Sequence, residues 1–69
     1  MQRQPVSSSN LASIGYDAGQ QVLEIEFVNG GVYRYFDVPE GLFDQLMAAG
    51  SHGSFFSQNI RTQYQFERL

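Results

Sequence analysis

Asn29-Gly30-Gly31 separates two stretches whose side chains alternate in kind, and this constrains the chain more than any other feature. From Gln21 to Val28, Leu23, Ile25 and Phe27 alternate with Glu24 and Glu26, the period-two pattern of a strand with one face in a core. Val32 to Val38, rich in β-branched and aromatic residues, follows residues that tolerate positive φ, so the pair reads as an antiparallel hairpin. Residues opposite one another share a face, which lets chemistry choose the register. A two-residue Asn-Gly turn sets Ile25 beside Arg34 and Glu24 beside Tyr35, placing charge within the apolar row. A three-residue loop ending on Gly31 in the left-handed conformation instead pairs Ile25 with Tyr35, Phe27 with Tyr33 and Glu26 with Arg34, and is the register expected.

The rest of the chain extends this hairpin into a domain. Leu11 to Tyr16 reads as a preceding strand, closed by an Asp17-Ala18-Gly19-Gln20 turn. Ala12, Ile14, Leu23, Ile25, Phe27, Tyr33 and Tyr35 then form one apolar face, and Glu24, Glu26 and Arg34 a solvated one. Pro39 and Glu40 suit a helix start, Leu42, Phe43, Leu46 and Met47 recur at helical spacing, and Gly50 suits a left-handed end, predicting a helix over Pro39 to Ala49. After the loop Ser51-His52-Gly53-Ser54, Ser54 is expected to cap a shorter helix carrying Phe56 and Ile60. Arg61 to Leu69 alternates Tyr64 and Phe66 with polar residues, as an extended segment packed back on the domain would. Met1 to Pro5 reads as a flexible N-terminal arm and residues 6–69 as one domain. The fold class is α+β: a three-stranded antiparallel β-meander packed against two C-terminal helices.

Several chemistries are poorly served by these residues. With no Cys and one His among 69 residues, thiolate and His-rich metal sites and thiol nucleophiles are excluded. No apolar run approaches the roughly 20 residues of a membrane span, and Met1 to Asn10 lacks a signal peptide's apolar stretch, so a cytoplasmic protein with no membrane attachment is expected. Ser51 and His52 are adjacent, a poor geometry for a nucleophile and its base, and nearby acids lie on the preceding helix. Glu24 and Glu26 stand two apart, a spacing that suits shared acid–base work, yet alternation alone places them in water beside Arg34, and they offer too few oxygens for a hard cation. The expectation is a chain without enzymatic activity, metal or cofactor.

The net charge of -3 is unevenly spread. Residues 17–44 carry six acids against Arg34 alone, whereas residues 45–69 carry Arg61 and Arg68 against Glu67. An anion-binding surface is therefore expected at the helix-loop-helix end, where Ser51, Gly53 and Ser54 offer amides at a helix start and His52 and Arg61 assist. Tyr33-Arg34-Tyr35 has the composition of a base-stacking strand. The expected register turns both rings toward the core, giving them a structural role.

The ordered set of V-x-S-S-N-L at Val6 to Leu11, Gly15-Tyr16-Asp17, Tyr33-Arg34-Tyr35, Val38-Pro39, Ser51-His52-Gly53, Phe56, and Ile60-Arg61 with Tyr64 resembles the KTSC domain. That family is named for its occurrence at the C-terminus of some lysyl-tRNA synthetases and also occurs as small stand-alone bacterial proteins. The resemblance covers the chain from about Val6 onward and implies a binding module whose suggested ligand is RNA. Carried over, it marks Tyr33 and Tyr35, Ser51 and Gly53, and Ile60, Arg61 and Tyr64; His52 departs from the pattern, standing where a Lys is common. The combined expectation is a small non-catalytic module binding RNA or an RNA-associated protein through Ser51, His52, Gly53, Ser54, Arg61 and Tyr64. The alternative is a protein-interaction or homodimerising assembly domain.

Overall fold

A computed structural model describes all residues, 1–69. Its elements run β1 (Arg3–Pro5), β2 (Leu11–Asp17), β3 (Val22–Phe27), β4 (Val32–Tyr35), α1 (Glu40–Ala48), α2 (His52–Asn59) and β5 (Phe66–Arg68). The strands form one antiparallel sheet in the order β1-β2-β3-β4-β5. The α+β class holds, but the sheet has five strands where the meander accounts for three. The additional strands come from both ends of the chain: Arg3–Pro5, expected as a flexible arm, pairs along β2, and Phe66–Arg68 pairs along β4 after both helices have been traversed.

The hairpin register differs from expectation by two residues. Leu23 faces Tyr35, Glu24 faces Arg34 and Ile25 faces Tyr33. The loop is Val28-Asn29-Gly30, and Gly30, with φ of 99°, takes the left-handed position assigned to Gly31. Asn29 Oδ1 accepts from the Gly31 amide and completes the turn. A two-residue shift preserves side-chain alternation, so the two faces are as expected although the cross-strand partners are not. In β2 the register slips between Leu11 and Ser13, so Leu11 enters the core opposite Phe27 and Ala12, expected there, becomes the bulged residue.

Both helices cover the apolar face. Leu11, Ile14, Leu23, Ile25, Tyr35, Val38, Leu46, Phe56 and Ile60 form one buried cluster. Tyr16 stacks on Phe43, with ring centroids 4.7 Å apart, and its hydroxyl donates to the Val38 carbonyl at the entry to α1. Burial, and then the acids Glu40, Asp17 and Asp44, push the Tyr16 phenol above its ordinary pKa. Pro39 is the N-cap of α1, and Ala49 leaves the helix in an extended conformation, so the stop does not use Gly50 as a left-handed cap. At α2 the cap is Ser51, whose hydroxyl accepts from the Ser54 amide; Ser54, the expected cap, lies inside the helix.

Candidate functional site

On the face away from the helices, Arg3, Gly15, Glu24, Arg34 and Glu67 form one row across all five strands. Arg3 and Glu24 are two strands apart and meet because Gly15, between them, has no side chain. A Cβ there would lie 2.9 Å from the Gln2 carbonyl and 3.0 Å from Arg3 Cγ. Glu24 accepts from Arg3 Nη1 at 2.6 Å and from Arg34 Nε at 3.0 Å. Expected in water, the residue is only 5% exposed. Burial alone raises its carboxyl pKa; the hydrogen bonds and positive charges of Arg34 and Arg3 outweigh that and hold it below the ordinary value. Ser13 donates to the Glu26 carboxylate at 2.8 Å on the same face. These groups satisfy one another, and no His, Cys, Asp or Glu grouping assembles the ligands of a metal site.

The helix-loop-helix residues divide between folding tasks and a cleft. Ser51 serves as the cap, while the His52 Nδ1–H donates to the Leu46 carbonyl at 2.9 Å and ties the start of α2 to α1. Gly53 is buried against the loop before β2: a Cβ on it would stand 3.3 Å from Asn10 Nδ2 and 3.6 Å from Ser8 Oγ. Ser8 in turn accepts from the amides of Asn10 and Leu11. The S-S-N-L and S-H-G segments are thus two sides of one contact. Ser54 is exposed, and Tyr64 packs on the core. Gly53 and Arg61 line a cleft of about 440 Å³ whose other walls include Asn10, Phe27 and Phe56.

A second concavity, about 310 Å³, adjoins the first through Phe27, Asn29 and Arg61 and extends over Tyr33, Tyr35 and Phe66. The strand pairing builds this surface, since Tyr33 faces Arg68 and Tyr35 faces Phe66, all on the helix-bearing side. Tyr35 is buried, with its phenol raised by burial and by Tyr33 and drawn the other way by Arg61. Tyr33 is only half-buried and Phe66 is 55% exposed. The Arg68 guanidinium carbon lies 5.7 Å from the Tyr33 ring centroid. Both arginines in ion pairs, Arg3 and Arg34, are held by Glu24. Arg61 and Arg68, which have no carboxylate partner, flank the open aromatic rings. Sequence reasoning singled out Arg61 but not Asn10, which the loop before β2 brings to the cleft, nor Phe66 or Arg68, whose contribution depends on β5 pairing with β4.

The chain resembles known proteins along its length. A crystal structure of a KTSC domain protein from Yersinia pestis superimposes with a TM-score of 0.96 at 44% identity, covering 99% of this chain and 96% of that one. An uncharacterized protein of Stutzerimonas stutzeri is 43% identical over 100% of this chain and 99% of its own length. A protein named lysine–tRNA ligase from Nostoc punctiforme matches at 38% identity over 88% of this chain, which is 11% of that protein. The family model described as the KTSC domain matches residues 7–64. With the motif residues placed as above, the chain belongs to the KTSC domain family.

Proposed function

We propose that the domain is a non-catalytic module that binds single-stranded RNA along the β4–β5 edge, bases lying against Tyr33 and Phe66 and phosphates meeting Arg61 and Arg68. The observation that carries this reading is the division of the arginines: two are ion-paired to Glu24 on one face, and the two without carboxylate partners both border the partly exposed rings of Tyr33 and Phe66 on the other. Stacking on rings beside cations is how single strands are held without groove readout. The opposite face sets Glu24, Glu26 and Glu67 against Arg3 and Arg34, so it has no excess of positive charge to attract phosphate, and this gives the surface a direction. A similar segment within a protein named lysine–tRNA ligase supports an RNA setting, and a cytoplasmic location belongs to the same reading.

Fluorescence anisotropy with a short labelled oligoribonucleotide at low salt tests it. Binding through Arg61 and Arg68 should weaken with salt with a log–log slope of about -1.4, two phosphate contacts on a single strand. Arg61→Gln with Arg68→Gln should remove most of the affinity and the slope while leaving the melting temperature unchanged. No binding at high micromolar protein, or binding indifferent to both substitutions, refutes the proposal.

A further inference from the structure

We infer that the cleft between the β3–β4 turn and α2 is a pocket for one unstacked nucleobase, next to the stacking edge and continuous with it. This rests on the RNA reading and deepens it by assigning a second subsite. Leu11, Phe27 and Phe56 give the cleft an apolar floor, and its volume of about 440 Å³ accommodates a purine or a pyrimidine. Around that floor stand polar groups that the fold leaves unused. The Asn10 side chain has neither its oxygen nor its nitrogen hydrogen-bonded within the chain, because the loop employs only the Asn10 backbone. The Asn29 Oδ1 is engaged by the Gly31 amide, which orients the side chain and leaves Nδ2 to donate elsewhere. An amide offers an adjacent donor and acceptor, matching the hydrogen-bonding edge that every nucleobase presents. Arg61 borders both concavities and has no carboxylate partner, so it is positioned for the phosphate joining a base in the cleft to a base on Tyr33 and Phe66. Apolar floor, two amides on the walls and a bordering cation together fit a nucleotide better than a lipid or an acidic peptide.

The four ribonucleoside 5′-monophosphates, inorganic phosphate and a short oligoribonucleotide, each titrated into the full chain with NMR detection, test the pocket. At least one mononucleotide should move the Asn10 and Asn29 side-chain amide resonances, inorganic phosphate should not, and Asn29→Asp should weaken mononucleotide binding about tenfold. That variant keeps an oxygen accepting from Gly31, so its fold is retained, and replaces the free donor with a charged acceptor; Asn10→Ala, which adds no charge, is the independent second variant and should weaken mononucleotide binding as well. If the oligoribonucleotide shifts Tyr33, Phe66 and Arg68 while the Asn10 and Asn29 amides stay still, the pocket is overturned and the stacking edge survives. Identical shifts from inorganic phosphate also overturn the base assignment. Silence with every ligand at low salt overturns both the pocket and the RNA reading.

Discussion

Glu24→Gln isolates the electrostatic row that binds the first strand to the sheet. The substitution preserves volume and one carbonyl acceptor but removes the charge that Arg3 and Arg34 share at 2.6 Å and 3.0 Å. A hydrogen bond to a charged group contributes about 1.5–3 kcal/mol, and breaking a fully buried pair costs about 3–5 kcal/mol. Here the Arg3 and Arg34 side chains are 32% and 42% exposed and rehydrate when the carboxylate is gone, so the larger figure must be discounted. The expected loss is about 2 kcal/mol, or roughly 8–16 °C in melting temperature for a domain of this size. Because Glu24 has a lowered carboxyl pKa in the fold, its contribution is complete above the unfolded-state value of about 4.3 and is lost as pH falls through the lower folded value. Protonated Glu24 is neutral and nearly isosteric with Gln, so the melting curves of wild type and variant should converge once the pH has fallen below the folded value.

Thermal melts across that pH range, with amide exchange at Val6, supply the assay. The Val6 amide donates to the Ala12 carbonyl at the end of β1 and reports whether that strand has detached. Equal melting temperatures at neutral pH, or a difference independent of pH, would refute the reasoning. A loss of global stability with Val6 exchange tracking the core amides would show that the row stabilises the whole sheet rather than β1.

Gly15→Ala should reproduce much of this effect from the other side, since its Cβ meets the Gln2 carbonyl and displaces β1 from Arg3's route to Glu24. A thermodynamic cycle with Glu24→Gln should show strong non-additivity, and simple addition would separate the two roles. Tyr35→Ala removes a ring only 3% exposed from the central cluster and should cost about 3 kcal/mol or more by urea denaturation; near-wild-type stability would make the ring a surface group. Gly30→Ala meets no neighbouring atom within 4 Å, so its cost of about 1–2 kcal/mol comes from the left-handed backbone alone. Gly41→Ala, equally free of neighbours but inside α1, should stabilise by about 0.5–1 kcal/mol, and opposite signs in parallel melts check both.

What the sequence made legible was what repeats locally. The alternation of Leu23, Ile25 and Phe27 against Glu24 and Glu26 separates the faces, and the helical spacing of Leu42, Leu46, Phe56 and Ile60 places both helices. Two glycines in succession left the loop register open, and a two-residue shift changes partners without moving any residue to the wrong face. The burial of Glu24 lay beyond local patterning because it depends on β1, and β1 reaches Glu24 only across the bare backbone of Gly15. In Gln2-Arg3-Gln4-Pro5 there is no apolar period to announce a strand; what holds it is its ladder with β2 and an ion pair formed with a residue 21 positions away. For β5 the alternation of Tyr64 and Phe66 announced an extended segment packed back on the domain, but not its partner, as two helices intervene before it meets β4.

The same distinction sorts the residues that carry the family resemblance. Gly15 opens the path to Glu24, Tyr16 braces the entry to α1, and Asp17 accepts from the Gly19 and Gln20 amides to close the first turn. Ser8 holds the loop before β2, Ser51 caps α2, His52 joins the helices, and Leu11, Tyr35, Val38, Phe56 and Ile60 are core. Each of these has a folding task sufficient to account for its chemistry. The Asn10 amide, whose backbone alone serves the loop, and the Arg61 guanidinium, exposed and without a carboxylate, have no such task. The first comes from the opening motif and the second from the last, more than half the chain apart, yet the fold sets both on the wall of one cleft. A side chain with no work in the fold, brought next to another of the same kind by long-range packing, is where a ligand has most to gain, and this directs the tests above to Asn10 and Arg61.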